Sequence, residues 1–391
     1  MNFDLTSEQE ELRALARRLA DTEVRPWAAH WDETEEFPDR ILDLYRDHDL
    51  LGLTMPVALG GRGLGVFEAC LVLEEIATAC LSSAMALQMC VNGPPRALLT
   101  LGTEEQQRRC IPRLIAGEAW FAIAMTEPQA GSDAMALTTE LRAAPGGGFT
   151  LHGEKCYISG GHRATDLLVF CRAEGTTGAD GIGAVLVSSS DPAFSVVEVE
   201  PKMGGRGVGE AHLRFDGIPI AEEDVVLRPV AGSRDGARVL VTQFNPERCG
   251  NAAMAIGTAV GAFDLASAYA AERHQFGKPL NANQGIQWKL ADMALDIDAA
   301  RLLMWRAASS DVGGFPAGRE TIMAKLFASE MVQRVTSEAL QIHGHRGYVR
   351  TSPIERYYRD ARAFAIGGGT SEVARNMIGR EIVRAAAPPK G

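Results

Sequence analysis

The spacing of apolar residues changes twice along this chain, and that change limits the folds open to it. From Ser7 to about Gly117 apolar positions recur at helical spacing, as where Phe67, Leu71, Val72 and Glu75 keep one period. From Trp120 to Leu227 the runs become short and β-rich: FTLHGEKCYIS, TDLLVFCRA, GIGAVLVSS, FSVVEVE and AHLRF, bounded by Gly, Asp and Pro. From about Ser233 the helical period returns over 234–272, 283–312, 317–343 and 370–386. A helix block, a β block and a second helix block predict an α+β multidomain protein. Its expected parts are an N-terminal α-helical domain over 1–119, a middle β-barrel or sandwich domain over 120–230 and a C-terminal α-helical bundle over 231–391. An alternating βαβ chain is excluded.

A chain of 391 residues is long enough to bury its cores without disulfides or metals. Its net charge of −11 argues against nucleic acid or an anionic membrane surface as the main partner. The opening MNFDLTSEQEELRALARRLA is acidic and amphipathic and reads as mature protein, not as a targeting segment. Thr6-x-x-Gln9 and Thr103-x-x-Gln106 read as capping boxes at helix starts. The longest weakly polar stretch, Ala252 to Phe263, is expected in a packed helix, far short of a membrane span. Seven scattered cysteines form no CxxC pair and no metal spacing, which fits buried thiols in a reducing cytoplasm.

No glycine cluster has the G-x-G-x-x-G spacing of a doubly wound dinucleotide fold. GGRGLG at 60–65 and GGRGVG at 204–209 read as tight turns. A dinucleotide here would be held by another geometry. The loop AMTEPQAGSD at 124–133 concentrates N–H groups and hydroxyls able to meet a flavin edge or a phosphate, although an ordinary polar turn into a strand reads the same way.

Five motifs in one order remove that ambiguity: AMTEPQAGSD, Lys155-x-aromatic-Ile158-Ser159, RHQFGKPL at 273–280, QIHGHRGY at 341–348 and GGGTSEVARNMIGRE at 367–381. Together they resemble the acyl-CoA dehydrogenase family across essentially the whole length. The resemblance implies FAD as cofactor, a C-terminal four-helix bundle, a homotetramer, and an electron-transferring flavoprotein as acceptor. It implies flavin contacts at Met125, Thr126, Gly131, Ser132, Tyr157, Ile158 and Ser159, with Ser132 also near the thioester. Tyr157 and Ser159 stand where the family usually has Trp and Thr. Arg273, Phe276 and Gln284 match residues that reach FAD across a subunit boundary, where the Arg fork suits a pyrophosphate. Gln341 and Gly344 match the motif near the adenine half, but the family's second glycine is His345 here. Thr370, Ser371 and Glu372 open the last helix, whose N–H groups favour phosphate.

Desaturating a thioester needs a carboxylate near Cα. Most of the family carries that Glu just before the Gly-Thr-Ser turn, where this chain has Gly368. One branch, including isovaleryl-CoA and long-chain acyl-CoA dehydrogenases, places it one residue before an Arg, and Glu247 before Arg248 fills that position. Locally, Asn245 as N-cap, Pro246 at the first helical position and Glu247 in the first turn also make a well-formed helix start with no catalytic duty. By resemblance Glu247 is the base, and the Gly368 N–H helps hold the thioester oxygen. Phe244, Asn245, Arg248 and Gly367 border the substrate. The Gly367-Gly368 pair leaves room for a short or medium branched or bulky acyl group, and the pocket floor is expected on the helix around Leu87–Gly93. The acyl carrier is CoA or a carrier protein. Rival readings are a crotonobetainyl-CoA reductase-like enoyl-thioester reductase, a flavin monooxygenase, or a non-catalytic flavoprotein on the same fold.

Overall fold

The computed structural model describes residues 4–312 and 315–386. The first block is helical: α1 (Ser7–Leu19), α2 (Ala28–Thr34), α3 (Asp39–Asp47), α4 (Val66–Ala77), α5 (Leu81–Val91), α6 (Pro94–Leu101) and α7 (Glu104–Ile115). Both expected capping boxes form. The Gln9 N–H donates to Thr6 Oγ1 at 3.3 Å and the Thr6 N–H to Gln9 Oε1 at 3.0 Å. Gln106 and Thr103 repeat the exchange at 3.2 and 2.8 Å. Each satisfies donors that a helix start otherwise leaves open. The two glycine clusters are turns: Gly60 lies at φ 92° and Gly205 at φ 59°. Gly205 N–H donates to Asp360 Oδ1 at 2.7 Å, tying the second turn to the C-terminal block.

The β block holds β1 (Phe121–Ala124), β2 (Glu140–Ala143), β3 (Phe149–Ser159), β4 (Asp166–Ala173), β5 (Ile182–Ser188), β6 (Phe194–Glu200), β7 (Glu210–Ile220) and β8 (Val225–Leu227). They form one eight-stranded sheet in the order β6-β7-β3-β2-β4-β5-β8, with β1 parallel to β4. The short strands β1, β2 and β8 carry too few residues to show alternation and escaped the pattern reading. In β3 the register against β7 slips between Lys155 and Ile158, and there Tyr157 takes φ 57°. A bulge with a left-handed residue turns one side chain out of the pleat, and Tyr157 is 58% exposed.

The last block comprises α8 (Asp235–Gln243), α9 (Asn245–Glu272), α10 (Gln284–Ala308), α11 (Gly318–His343), α12 (Pro353–Ala361) and α13 (Ser371–Ala386). The expected single helix over 234–272 is broken at Phe244, because Pro246 lacks an N–H and its ring collides with the carbonyl four residues earlier. Asn245 is therefore the first residue of α9, and Phe244, without a side-chain cap, takes the position expected for Asn245. The short α12 was not foreseen.

The α9 helix runs through the centre, packed on α4, α10 and α11. Its small residues permit that closeness: a Cβ on Gly257 would lie 2.1 Å from the Glu74 carbonyl oxygen. By length and composition Asp235–Glu272 could cross a membrane, a longer apolar stretch than Ala252–Phe263 suggested. Yet 61% of its most apolar window is buried inside the protein, as in a core helix.

Candidate active site

Two groups of expected site residues sit on different parts of the fold, one on the sheet and one where α9 meets the turn before α13. On the sheet, Lys155 and Glu127 form an ion pair 0% and 1% exposed, with Nζ 2.8 Å from Oε1. The Glu127 carboxylate also accepts from the Thr138 and Thr139 N–H groups and hydroxyls, at 2.6 to 2.9 Å. Burial acts to raise this carboxyl, but Lys155 and the hydrogen bonds outweigh it and hold it at about 2. Lys155 Nζ donates further to the Met125 carbonyl at 2.8 Å, and the Cys156 N–H to the Thr126 carbonyl at 2.9 Å. This buried network fixes the Met125–Thr126 backbone beside the bulge that exposes Tyr157. Ile158 is buried beneath the bulge, Ser159 is half-buried, and Gly131 and Ser132 are exposed.

These residues fit a flavin. The Tyr157 ring stands exposed beside the pinned Met125–Thr126 backbone, and a Cβ on Gly131 would meet nothing within 4 Å. At the start of α13, Thr370 Oγ1 accepts from the Val373 N–H at 3.2 Å, while the buried Ser371 hydroxyl has no hydrogen-bond partner among the described residues. Glu372 is exposed, and its carboxyl is held below its ordinary value by its own N–H and Thr370. Arg273, Gln284, Gln341 and Gly344 are exposed, and Phe276 is 97% exposed at a hairpin tip. Among the described residues no hydrogen bond ties them to Met125, Thr126 or Tyr157. His345 is exposed too, facing Tyr348 with ring centroids 6.4 Å apart.

The second group assembles around the glycine turn. Glu247 lies in the first turn of α9 and is half-buried, with its backbone carbonyl accepting from Gln88 Nε2 of α5 at 3.0 Å. That bond joins α9 to the helix expected to floor the acyl pocket. Burial pushes the Glu247 carboxyl up to about 7, against the downward pull of Arg248. The helix start alone would lower it, so desolvation wins. Arg248 Nε donates to the Gly368 carbonyl at 3.3 Å, and Nη1 to Asn245 Oδ1 at 2.9 Å and the Val241 carbonyl at 3.1 Å. From α11 the buried Lys325 donates to the Gly369 carbonyl, and burial and the nearby Arg248 lower it to about 8. Gly368 lies at φ 68°, a conformation that favours glycine. A Cβ there would sit 2.6 Å from Asn251 Nδ2. Asn251 is four residues after Glu247, on the same face of α9.

Two of the expected substrate contacts are engaged within the protein itself. Asn245 is buried and both ends of its amide are engaged, Nδ2 with the Pro316 carbonyl at 3.1 Å and Oδ1 with Arg248. Its side chain braces the start of α9 through these two bonds. Phe244 is buried against Phe170, with ring centroids 6.4 Å apart. Gly367 is exposed beside the turn. Lys325 and Asn251 lie outside the expected site residues, while Gln88 falls within the Leu87–Gly93 stretch expected to floor the pocket. A lone Asn within GNAAMAIG, on an otherwise apolar helix, was the available signal for Asn251; Lys325 reads as an ordinary helix lysine.

The chain matches the acyl-CoA dehydrogenase N-terminal domain over residues 6–118, the middle domain over 122–218 and the C-terminal domain over 234–383. It is 40% identical over 385 residues to the acryloyl-CoA reductase (NADH) of Anaerotignum propionicum, covering 98% of this chain and 96% of that one. It is 38% identical over 376 residues to the 3-sulfinopropanoyl-CoA desulfinase of Paraburkholderia xenovorans strain LB400, covering 96% of each. Butyryl-CoA dehydrogenase from Megasphaera elsdenii has the same fold, with a TM-score of 0.93 and 31% identity over 98% of this chain and 100% of that one.

Proposed function

The chain belongs to the acyl-CoA dehydrogenase family of FAD-dependent oxidoreductases, and from that premise we propose that it interconverts a short acyl-CoA and its α,β-unsaturated partner, with Glu247 moving the α-proton. The observation that carries this reading is the placement of Glu247 in the first turn of α9, next to Arg248, whose Nε holds the carbonyl of the Gly368 turn at 3.3 Å, where the family's usual acid is absent; burial there pushes the carboxyl up to about 7. A carboxyl poised there is part ionised at neutral pH, so it can take a proton and return it. Arg248 keeps it from rising further and anchors the Gly368 carbonyl, steadying the turn whose Gly368 N–H would serve a thioester oxygen.

The chemistry that FAD would supply when bound is exchange of a hydride with Cβ. Met125, Thr126, Tyr157 and Ser159 would hold its ring. The exposed Arg273, Phe276, Gln284, Gln341 and Gly344 would serve the cofactor of a second copy in a homotetramer. Ser371 has a hydroxyl to spare for a phosphate. An electron-transferring flavoprotein is the proposed redox partner. Seven buried free thiols support a cytoplasmic setting.

Within the expected short or medium branched or bulky acyl groups we favour a short one, a reading supported by the Asn251 amide in the space beside Gly368. The reductase direction is a second reading, favoured by the 40% identity to a protein named for reducing acryloyl-CoA. Anaerobic addition of propionyl-CoA and butyryl-CoA tests the reading: the flavin bleaches with enoyl product if the enzyme dehydrogenates. Bleaching only by an external reductant, reversed by acryloyl-CoA, supports the reductase. In both directions Glu247→Gln should slow exchange at least about a hundredfold, within the range for a positioned acid–base group. An unchanged rate in that variant ends the assignment.

A further inference from the structure

The recess at Gly368 holds more positive charge than the protein itself answers. Arg248 spends its hydrogen bonds on the neutral oxygens of Gly368, Val241 and Asn245, and Lys325 donates to the carbonyl of Gly369. Among the described residues neither cation has a carboxylate within ion-pair distance, although Lys325 is only 2% exposed. Asn251 is half-buried, and its amide has no hydrogen-bond partner among the described residues. The three groups converge on one place: a Cβ at residue 368 would lie 2.6 Å from Asn251 Nδ2 and 3.8 Å from Lys325 Cε, while Arg248 holds the carbonyl of that residue. The acids in range are Glu247, which faces Arg248, and the exposed Glu372, which faces Lys325.

Buried cations are ordinarily paired, and a recess lined by a buried lysine and a half-buried arginine without a carboxylate in ion-pair distance, with an idle amide beside them, is complementary to an anion. A hydrocarbon chain placed here would leave the Asn251 amide desolvated and unanswered, which is a cost. We propose that the acyl group taken by this chain carries an anionic oxygen group, a carboxylate or a sulfinate, on Cβ, and that Asn251 is the specificity-determining donor to it in the field of Arg248 and Lys325. This rests on the reading above that Gly368 borders the reacting carbons. The anion adds no step to the reaction; it decides which short acyl group is retained. Because Asn251 shares a helix face with Glu247, the anion and the proton-transfer carboxyl approach the chain from one side.

The test is calorimetric binding to the FAD-loaded enzyme of butyryl-CoA, 3-hydroxybutyryl-CoA, succinyl-CoA and 3-sulfinopropanoyl-CoA. Wild type should bind the two anionic ligands at least about tenfold more tightly than butyryl-CoA, the scale of one charge-assisted contact. Asn251→Leu and Lys325→Met should each collapse that ratio, and Asn251→Leu should tighten butyryl-CoA. Asn251→Asp, nearly the same shape, keeps the fold accessible and should reverse the preference by placing like charges together. Equal or tighter binding of butyryl-CoA by wild type overturns the proposal. So does a ratio untouched by Asn251→Leu and Asn251→Asp, and so does a preference for the neutral 3-hydroxy ligand. Glu247→Gln should leave the ratio in place. If that variant also kept its flavin exchange rate, the proton-transfer assignment would fall while the anion preference stood.

Discussion

If burial sets the Glu247 carboxyl near 7, the pH profile of proton transfer must show it. Moving a carboxyl from 4.5 to about 7 makes its ionisation in the recess roughly 3 kcal/mol costlier than in water, at about 1.4 kcal/mol per pH unit. About a tenth of the enzyme then holds the ionised base at pH 6, half at pH 7 and nine-tenths at pH 8. The rate of flavin reduction by limiting acyl-CoA, which reports the free enzyme, should therefore rise about tenfold from pH 6 to pH 8. The reverse reaction, which needs the protonated form, should fall over the same window. Arg248 opposes the rise, so Arg248→Met should carry the inflection above 7. The same shift has a stability consequence of opposite sign to that of a paired carboxylate. A carboxyl raised in the folded state weighs nothing below about 4.5, weighs increasingly as pH climbs towards 7, and weighs fully above it. The weight is at most about 3 kcal/mol and smaller in practice, because a half-buried carboxylate keeps some water. Glu247→Gln should thus raise Tm at pH 8 and leave it nearly unchanged at pH 4. An inflection below pH 5, or one that persists in Glu247→Gln, would refute the argument that desolvation governs this carboxyl.

Lys155→Met should strand the Glu127 carboxylate inside the sheet and lower stability by about 3–5 kcal/mol, the usual effect of breaking a buried pair, with weakened flavin retention measurable by ultrafiltration. Acid should act on the same pair: Glu127, held at about 2, supports the fold fully above about 4.5 and loses that support as pH falls towards 2, which acid unfolding monitored by circular dichroism checks. Gly368→Ala forces a side chain into left-handed backbone and against the Asn251 amide. A loss of about 1–3 kcal/mol is expected in urea unfolding, part of it recovered in Gly368→Ala/Asn251→Ala. Gly257→Ala meets the α4 carbonyl of Glu74 and should cost about 1–3 kcal/mol by the same assay, as overpacking does.

The two changes of period stood in the amino-acid order itself, because a helix face and a pleated strand space their apolar residues differently within a few residues of chain. So did both capping boxes, whose partners lie three residues apart, and the five motifs whose order carried the family resemblance. The short strands β1 and β2 and the break at Phe244 were harder to read, since four residues show little alternation and a proline near a helix start is compatible with either one helix or two. The site divides in the same way. Glu247 could be named from its place before Arg248, but its local sequence alone describes a helix start that would lower its pKa. Only burial in the folded protein removes enough water to push it the other way. Lys155 meets Glu127, and Asn251 meets Gly368, across stretches of chain that no spacing rule connects. Glycine at 368 announced a missing side chain. What filled the gap, an amide and two cations with no carboxylate at ion-pair distance among the described residues, was decided by the folding of α9 and α11 around that turn, because electrostatics depends on distance through space and not along the chain.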